Sequence, residues 1–175
     1  PPGFFGNWIT THHPAWLGDY HFNYNHEAPW WGVYSSNHIS ISDPYDAPIL
    51  DFIDKGREYA RQYLDCRGVY YPVGIGPWGM TLRREDPIYF WNQKSNALFC
   101  TMNMFMRFYA TYDKGYASRV YPFLIEVADF WEDYLEFEDG RYVVHDDCFW
   151  ESKDDLDMNP LLTLCMLRRF YRGML

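Results

Sequence analysis

Residues 98–135, LFCTMNMFMRFYATYDKGYASRVYPFLIEVADFWEDYL, decide what kind of fold this chain makes. Leu98, Met102, Phe105, Tyr109 and Tyr112 recur every three or four residues, the spacing that keeps side chains on one face of an α-helix. After residues 113–115 the pattern resumes with Ala117, Tyr121, Leu124, Ala128, Trp131 and Leu135. The short break between the two runs predicts a helical hairpin. On the C-terminal side, Asp139 and Gly140 turn the chain into a brief extended run over 141–144. A polar loop follows over 145–157, and Asn159 and Pro160 open a last helix carrying Leu167 and Phe170.

On the N-terminal side, 69–92 holds Gly74, Gly76, Pro77, Gly79 and Pro87 and reads as a long loop, a length that usually accompanies function in compact domains. Before it, Ser42, Asp43 and Pro44 supply a cap and a first-turn proline for a helix running to Cys66, closed by Gly68. Ile49, Leu50, Ile53, Tyr59 or Ala60, and Tyr63 or Leu64 form its apolar side. Residues 1–19, rich in Gly, Pro, Trp and His without a sustained period, read as an ordered loop. The expected fold is mainly α, with long loops and a short extended segment. Nothing alternates strand with helix as a parallel sheet demands.

The 175 residues, 48% hydrophobic and 21% aromatic, suffice for one domain with a sizeable core and argue against disorder. A net charge of −9 opposes a partner whose phosphates must be met by clustered Lys and Arg, so nucleic acid is not expected. No apolar run reaches the roughly 18 to 20 residues that span a bilayer, so no membrane span is expected. Cys66, Cys100, Cys148 and Cys165 lack C-x-x-C spacing and read as buried free thiols. The chain opens on Pro1-Pro2 and closes inside a helical pattern. It therefore reads as a piece of a longer protein, one that exposes apolar surface, dissolves poorly and has little activity when isolated.

Chemistry concentrates in two places. The first is Gly18-Asp19-Tyr20-His21-Phe22-Asn23-Tyr24-Asn25-His26-Glu27. Residues two apart share one face of an extended chain, so His21, Asn23, Asn25 and Glu27 line up if this stretch is extended. Asn23 and Asn25 each offer a donor and an acceptor without charge, so the pair can grip a water beside a sugar without competing with a nearby carboxylate. The plainer reading is that they satisfy backbone groups in a turn. The second place is Phe149-Trp150-Glu151. Two large aromatics should strip water from the carboxyl group and raise its pKa, as proton donation to a glycosidic oxygen requires. The plainer reading there is an exposed loop glutamate.

Asp146, Asp147, Asp154, Asp155 and Asp157 around it read as a solvated acidic run, without the D-x-D-x-D pattern of a calcium loop. His12, His13, His21, His26 and His38 lack zinc-ligand spacing, so neither a metal nor another cofactor is expected. Trp8, Trp16, Trp30, Trp31, Trp78 and Trp91 fall in loops or at their edges, where an indole face can stack on a sugar or simply pack.

The run Gly3-Phe4-Phe5-Gly6-Asn7-Trp8, followed by Trp16-Leu17-Gly18-Asp19-Tyr20-His21-Phe22-Asn23-Tyr24-Asn25-His26-Glu27, resembles the start of the barrel in glycoside hydrolase family 95, the inverting α-L-fucosidase group. Tyr121-Pro122-Phe123-Leu124, Ala128-Asp129-Phe130, Leu135 and Gly140-Arg141-Tyr142-Val143-Val144 resemble the helix and strand leading to that family's acid loop. The likeness covers nearly the whole chain. It implies that residues 1–175 are part of an (α/α)6 catalytic domain, an incomplete six-hairpin barrel holding fewer than half its helices.

The resemblance further implies a carbohydrate substrate and inverting hydrolysis of O-glycosidic bonds, in α-L-fucosides or a related sugar. By motif, Asn23 and Asn25 position the attacking water, His21 contacts the sugar and Glu151 is the general acid. Asp19, Glu27, Trp16, Trp30, Trp31, Trp78 and Trp91 are candidate substrate contacts. A carboxylate that helps activate the water is expected beyond Leu175. A periplasmic or secreted setting fits the family, and the oligomeric state is left open. Two departures border the sugar site: Ala28-Pro29-Trp30-Trp31 stands where the family commonly continues toward Met-Asn-Tyr-Trp, and Trp150-Glu151-Ser152 where Pro-Glu-Asn is common. They bear on fucose specificity more than on hydrolysis. The alternatives are phosphorolysis, which related six-hairpin barrels perform, and a noncatalytic carbohydrate-binding fragment.

Overall fold

The computed structural model describes residues 12–13, 18–80, 92–148, 151 and 156–175. The expected hairpin is present as α4 (Asn96–Thr111) and α5 (Lys114–Tyr134). The first of these stops where Tyr112 takes a left-handed conformation, φ 49°. The second starts on Asp113, whose carboxylate accepts from the Gly115 and Tyr116 amides at 2.8 and 3.1 Å. Those are two of the donors that a helix start leaves outside its own ladder. The buried face of α5 runs through Tyr116, Val120, Phe123, Leu124, Val127, Phe130 and Trp131, while Tyr121 is exposed. The helical period read from the sequence thus holds, with Leu124 and Trp131 buried as expected and Tyr121 facing out.

Among the described residues, four further α-helices pack around the pair: α1 (Trp31–Ser35), α2 (Asp43–Asp51), α3 (Ile53–Leu64) and α6 (Leu161–Met174). α1 and α6 lie against α4, α3 lies against α5, and α2 touches both. The single helix expected from Ser42 to Cys66 is therefore two. Pro48 sits inside α2, where it cannot donate to the carbonyl one turn back, and the joint falls at the fully buried Phe52. Ser42 occupies the cap position and Pro44 the first turn as expected, but the Ser42 hydroxyl donates back to the Ile39 carbonyl at 2.7 Å instead of accepting from the helix. Asp65, left-handed at φ 52°, ends α3 in place of Gly68. Gly68 has a different task. A Cβ there would lie 2.0 Å from the Glu126 carbonyl oxygen, so only glycine lets the chain pass this close to α5.

Residues 69–76, part of the stretch expected as a long loop, are buried throughout. Burial is tolerable because their polar groups find partners in three helices. The Val69 amide donates to Glu126 O at 3.3 Å, the Tyr70 amide to Gly56 O at 3.0 Å, and Asn96 Nδ2 to Tyr71 O at 3.1 Å. Tyr71 is the hub of the aromatic core, with the rings of Phe22, Phe52 and Phe123 at 5.9, 5.2 and 5.7 Å and its hydroxyl donating to Ile49 O at 2.6 Å. The segment ends in β2 (Gly74–Ile75), antiparallel to β1 (Tyr20–His21), with His21 opposite Gly74. This ribbon fixes the position of His21 against the core.

A second ribbon pairs β3 (Glu136–Glu138) with β4 (Arg141–Val143) through a turn at Asp139 and Gly140, both at positive φ. Only its second strand was expected. The last helix also starts differently: Pro160 occupies its cap position, and Asn159 Oδ1 accepts from the Val144 amide at 3.0 Å instead of capping. The described residues are mainly helical, and no helix among them is long and apolar enough to cross a membrane. Cys66, Cys100 and Cys148 are buried free thiols, whereas Cys165 is exposed.

Candidate active site

β1 lasts only two residues, and the chain then folds back. The His26 amide donates to His21 O at 2.8 Å, and the Glu27 and Ala28 amides to Tyr24 O at 3.1 and 2.9 Å. The face expected over 21–27 does not form, because a two-residue alternation persists only while a strand continues. His21 and Glu27 are buried, Asn23 is half-buried and Asn25 is exposed.

Three of the expected residues converge. His21 Nε2 donates to Glu151 Oε1 at 3.1 Å, and Asn23 Nδ2 donates to the same oxygen at 2.8 Å. Asn23 Nδ2 also donates to Gln93 Oε1 at 3.2 Å. Behind this group, His21 Nδ1 donates to Asp19 Oδ2 at 2.9 Å. Asp19 and His21 are 1% and 5% exposed, against 45% for Glu151. An accessible carboxylate therefore rests on a buried backing, and Asp19, expected as a sugar contact, holds the histidine instead.

Burial pulls the His21 pKa down, but Asp19 and Glu151 outweigh it and leave it raised. Burial pushes Glu151 up, but the hydrogen bonds from Asn23 and His21, with the imidazolium charge, outweigh it and leave it lowered. This corrects the expectation of a carboxyl group held neutral by desolvation. The local sequence displays the aromatics at 149 and 150, which lie outside the described residues, and conceals a histidine 130 positions away. Each group favours the charged form of the other: Glu151 is biased toward the carboxylate and His21 toward the imidazolium.

The other candidates separate. Glu27 is fully buried; its Oε1 accepts from Cys100 Sγ at 3.4 Å and Oε2 has no partner, so burial drives its pKa well above the usual carboxylate range. It is a core acid and does not reach a sugar. Trp30 is also buried, its ring edge-on to Tyr45 at 5.9 Å, and serves packing. Trp31 is partly exposed beside Tyr24, ring centroids 5.7 Å apart, with Nε1 donating to Asn103 Oδ1 at 3.0 Å. Trp78 is 81% exposed on a tight turn, Pro77–Gly79, and borders an open groove of about 250 Å³ with Tyr20, Pro48 and Asp51. Trp16 and Trp91 lie outside the described residues.

The loop carrying Glu151 is pinned at its base. Asp147, expected in a solvated acidic run, is fully buried: Oδ1 accepts from the Lys94 amide at 2.9 Å and Oδ2 from the Thr163 hydroxyl at 2.6 Å. Backbone bonds of 3.2 and 2.7 Å join Asp147 to Asp157, and Lys94 Nζ donates to the carbonyls of Asn92 and Asp146. Gln93, Lys94 and Thr163 escaped the sequence reading because their only signal was polarity near a helix start. Among the described residues, Glu136, Glu138 and His145 bring potential ligand atoms within 4.8 Å of one another on the exposed ribbon. His145 Nε2 is already committed to Glu138 at 2.6 Å.

The sequence profile of the glycosyl hydrolase family 95 catalytic domain matches residues 1–155. The chain belongs to glycoside hydrolase family 95. It is similar to "Probable alpha-fucosidase A" of Aspergillus niger (strain ATCC MYA-4892 / CBS 513.88 / FGSC A1513), at 26% identity over 152 residues that make up 83% of this chain and 19% of that protein. The family 95 chain thus spans about a fifth of the length of the curated relative it matches. Asp19, His21, Asn23, Gln93 and Glu151 all fall inside the span matched to the family 95 catalytic domain.

Proposed function

We propose that this domain carries the acid and the water-holding amides of a glycosidase that hydrolyses O-glycosidic bonds in oligo- or polysaccharides with inversion, acting on an α-L-fucoside or a related sugar. The observation supporting it is the meeting of His21, Asn23 and Glu151 on one carboxylate oxygen. Glu151 is open enough to reach a leaving oxygen and is backed by a group that holds a proton. Asn23 brings an uncharged donor and acceptor to this place, and the exposed Asn25, two residues on, is proposed to join it in holding the water. In inversion the acid and the attacking water act on opposite faces of the ring. A sugar then enters between Glu151 and the amides, and the Asn23–Glu151 bond is the contact it replaces. The (α/α)6 barrel that would enclose such a sugar is proposed from family membership, with which the α4–α5 hairpin is compatible. The fucoside assignment leans on the named relative, and Ala28-Pro29-Trp30-Trp31 is the reason to assay neighbouring sugars as well.

Proton NMR of the earliest product formed by the full-length protein tests this. The expected product has the opposite anomeric configuration to the substrate; a retained configuration would reject the assignment. A sugar phosphate formed only with added inorganic phosphate would reassign the reaction as phosphorolysis. Binding without turnover would reduce the site to carbohydrate recognition.

A further inference from the structure

A general acid must carry a proton when the substrate arrives, yet Glu151 accepts hydrogen bonds from two donors on a single oxygen and rests as a carboxylate. The proton is one atom away. His21 presents an N–H to Glu151 Oε1 at 3.1 Å, and its other nitrogen is held by Asp19 at 2.9 Å. The imidazole lies between two carboxylates of unequal exposure: Asp19 is sealed in the interior and Glu151 faces the surface. A proton leaving this histidine toward Glu151 has a route to a substrate, whereas Asp19 offers it none. Among the described residues, Asp19 and Glu151 are the charged groups acting most strongly on His21. The facing strand contributes Gly74 and the segment before α4 contributes the neutral Gln93.

We propose, on the glycosidase reading above, that the catalytic proton is shared between His21 and Glu151, resting on His21 until the sugar binds, and that Asp19 is the positioning residue that keeps it there. Sugar entry displaces Asn23 from Glu151 and removes water from the carboxylate, which makes the charged state of the pair costlier and moves the proton from His21 Nε2 onto Glu151. As the bond between the anomeric carbon and the leaving oxygen breaks, that oxygen takes the proton from Glu151. The histidine is then neutral, Glu151 is a carboxylate again, and one proton from solvent recharges the pair. Two coupled sites of this kind titrate as a unit, so the basic limb of the pH profile belongs to the pair and not to a lone carboxyl group.

The test is the pH dependence of kcat/KM for the full-length protein and its Asp19→Asn variant, on a substrate with a poor leaving group and on one with an activated aryl leaving group. Removing the Asp19 charge weakens the hold on the His21 proton. The basic limb is therefore expected to move to lower pH by about one unit with the poor leaving group, with the low-pH plateau retained within several-fold. With the activated leaving group, which departs without a proton, deprotonation of the pair should not limit the rate, so the profiles of the two proteins should keep the same shape on the basic side. A plateau that falls while the limb stays put would reduce Asp19 to a structural support and overturn the proposal. A second readout needs no turnover: an NMR titration of the labelled His21 ring in the wild type, in Asp19→Asn and in Glu151→Gln. Its midpoint is expected to fall in both variants. An unmoved midpoint in either would refute the sharing of the proton even if the protein proves a glycosidase. Moved midpoints without hydrolysis would instead count against the glycosidase reading alone.

Discussion

Glu27 illustrates how differently one carboxylate can behave from another 124 positions away. Sealed in the core, it is driven toward its neutral form by burial, which outweighs the Cys100 thiol and the nearby backbone amides, whereas Glu151 is held ionised by His21 and Asn23. The folded-state pKa of Glu27 lies above its unfolded value, so its contribution to stability is whole below the ordinary carboxylate range. It is lost as pH rises toward the folded value. Over that window the unfolded chain releases a proton that the native state keeps, giving a slope of up to about 1.4 kcal/mol per pH unit. A Glu27→Gln variant has no such proton, so its stability relative to wild type should improve as pH rises above about 4.5. Denaturant melts across pH measure it, and a difference that stays constant would contradict the buried-acid assignment. The sequence disclosed Asn23, Asn25, His21 and Glu151 as candidates by residue type and neighbours. It could not disclose the sign of the pKa shift on Glu151, which depends on a histidine brought in by the β1–β2 ribbon.

At the scale of elements, the acid loop owes its position to α6 and to the residues before α4. Thr163, in the first turn of α6, donates to buried Asp147 at 2.6 Å, and the Lys94 amide holds the other oxygen. Replacing Thr163 by Val leaves a buried carboxylate oxygen without its donor, which should cost about 1–3 kcal/mol in a urea melt. The same change should loosen the loop that presents Glu151, lowering turnover more than substrate affinity. Unchanged stability would mean that the Thr163 bond is replaceable by water. The elements themselves were partly legible. Periodicity revealed α4, α5 and α6 because each buries one face. It missed the break at Phe52 and the burial of 69–76, since a proline in a helix and a glycine-rich run look locally like an ordinary first turn and an ordinary loop. What makes them otherwise is the tertiary partners of Tyr71 and Gly68.

For the whole molecule, the aromatic content that marked the sequence has two destinations. Rings such as Phe22, Tyr71 and Phe123 build the core, while Tyr109, Tyr112 and Tyr121 remain on the surface near an apolar hollow of about 260 Å³ lined by Phe105, Phe108, Leu124 and Met174. The chemistry proposed for this acidic, mainly helical domain rests on the carboxylate of Glu151. Delivery of a proton from Glu151 to a departing oxygen is read most directly by leaving-group dependence. In the full-length protein, Glu151→Gln should lose about 10²- to 10⁴-fold in kcat with an alkyl or sugar leaving group. With an activated aryl leaving group that needs no proton it should lose only a few-fold. Equal losses on both substrates, or near-normal turnover on the poor one, would contradict it.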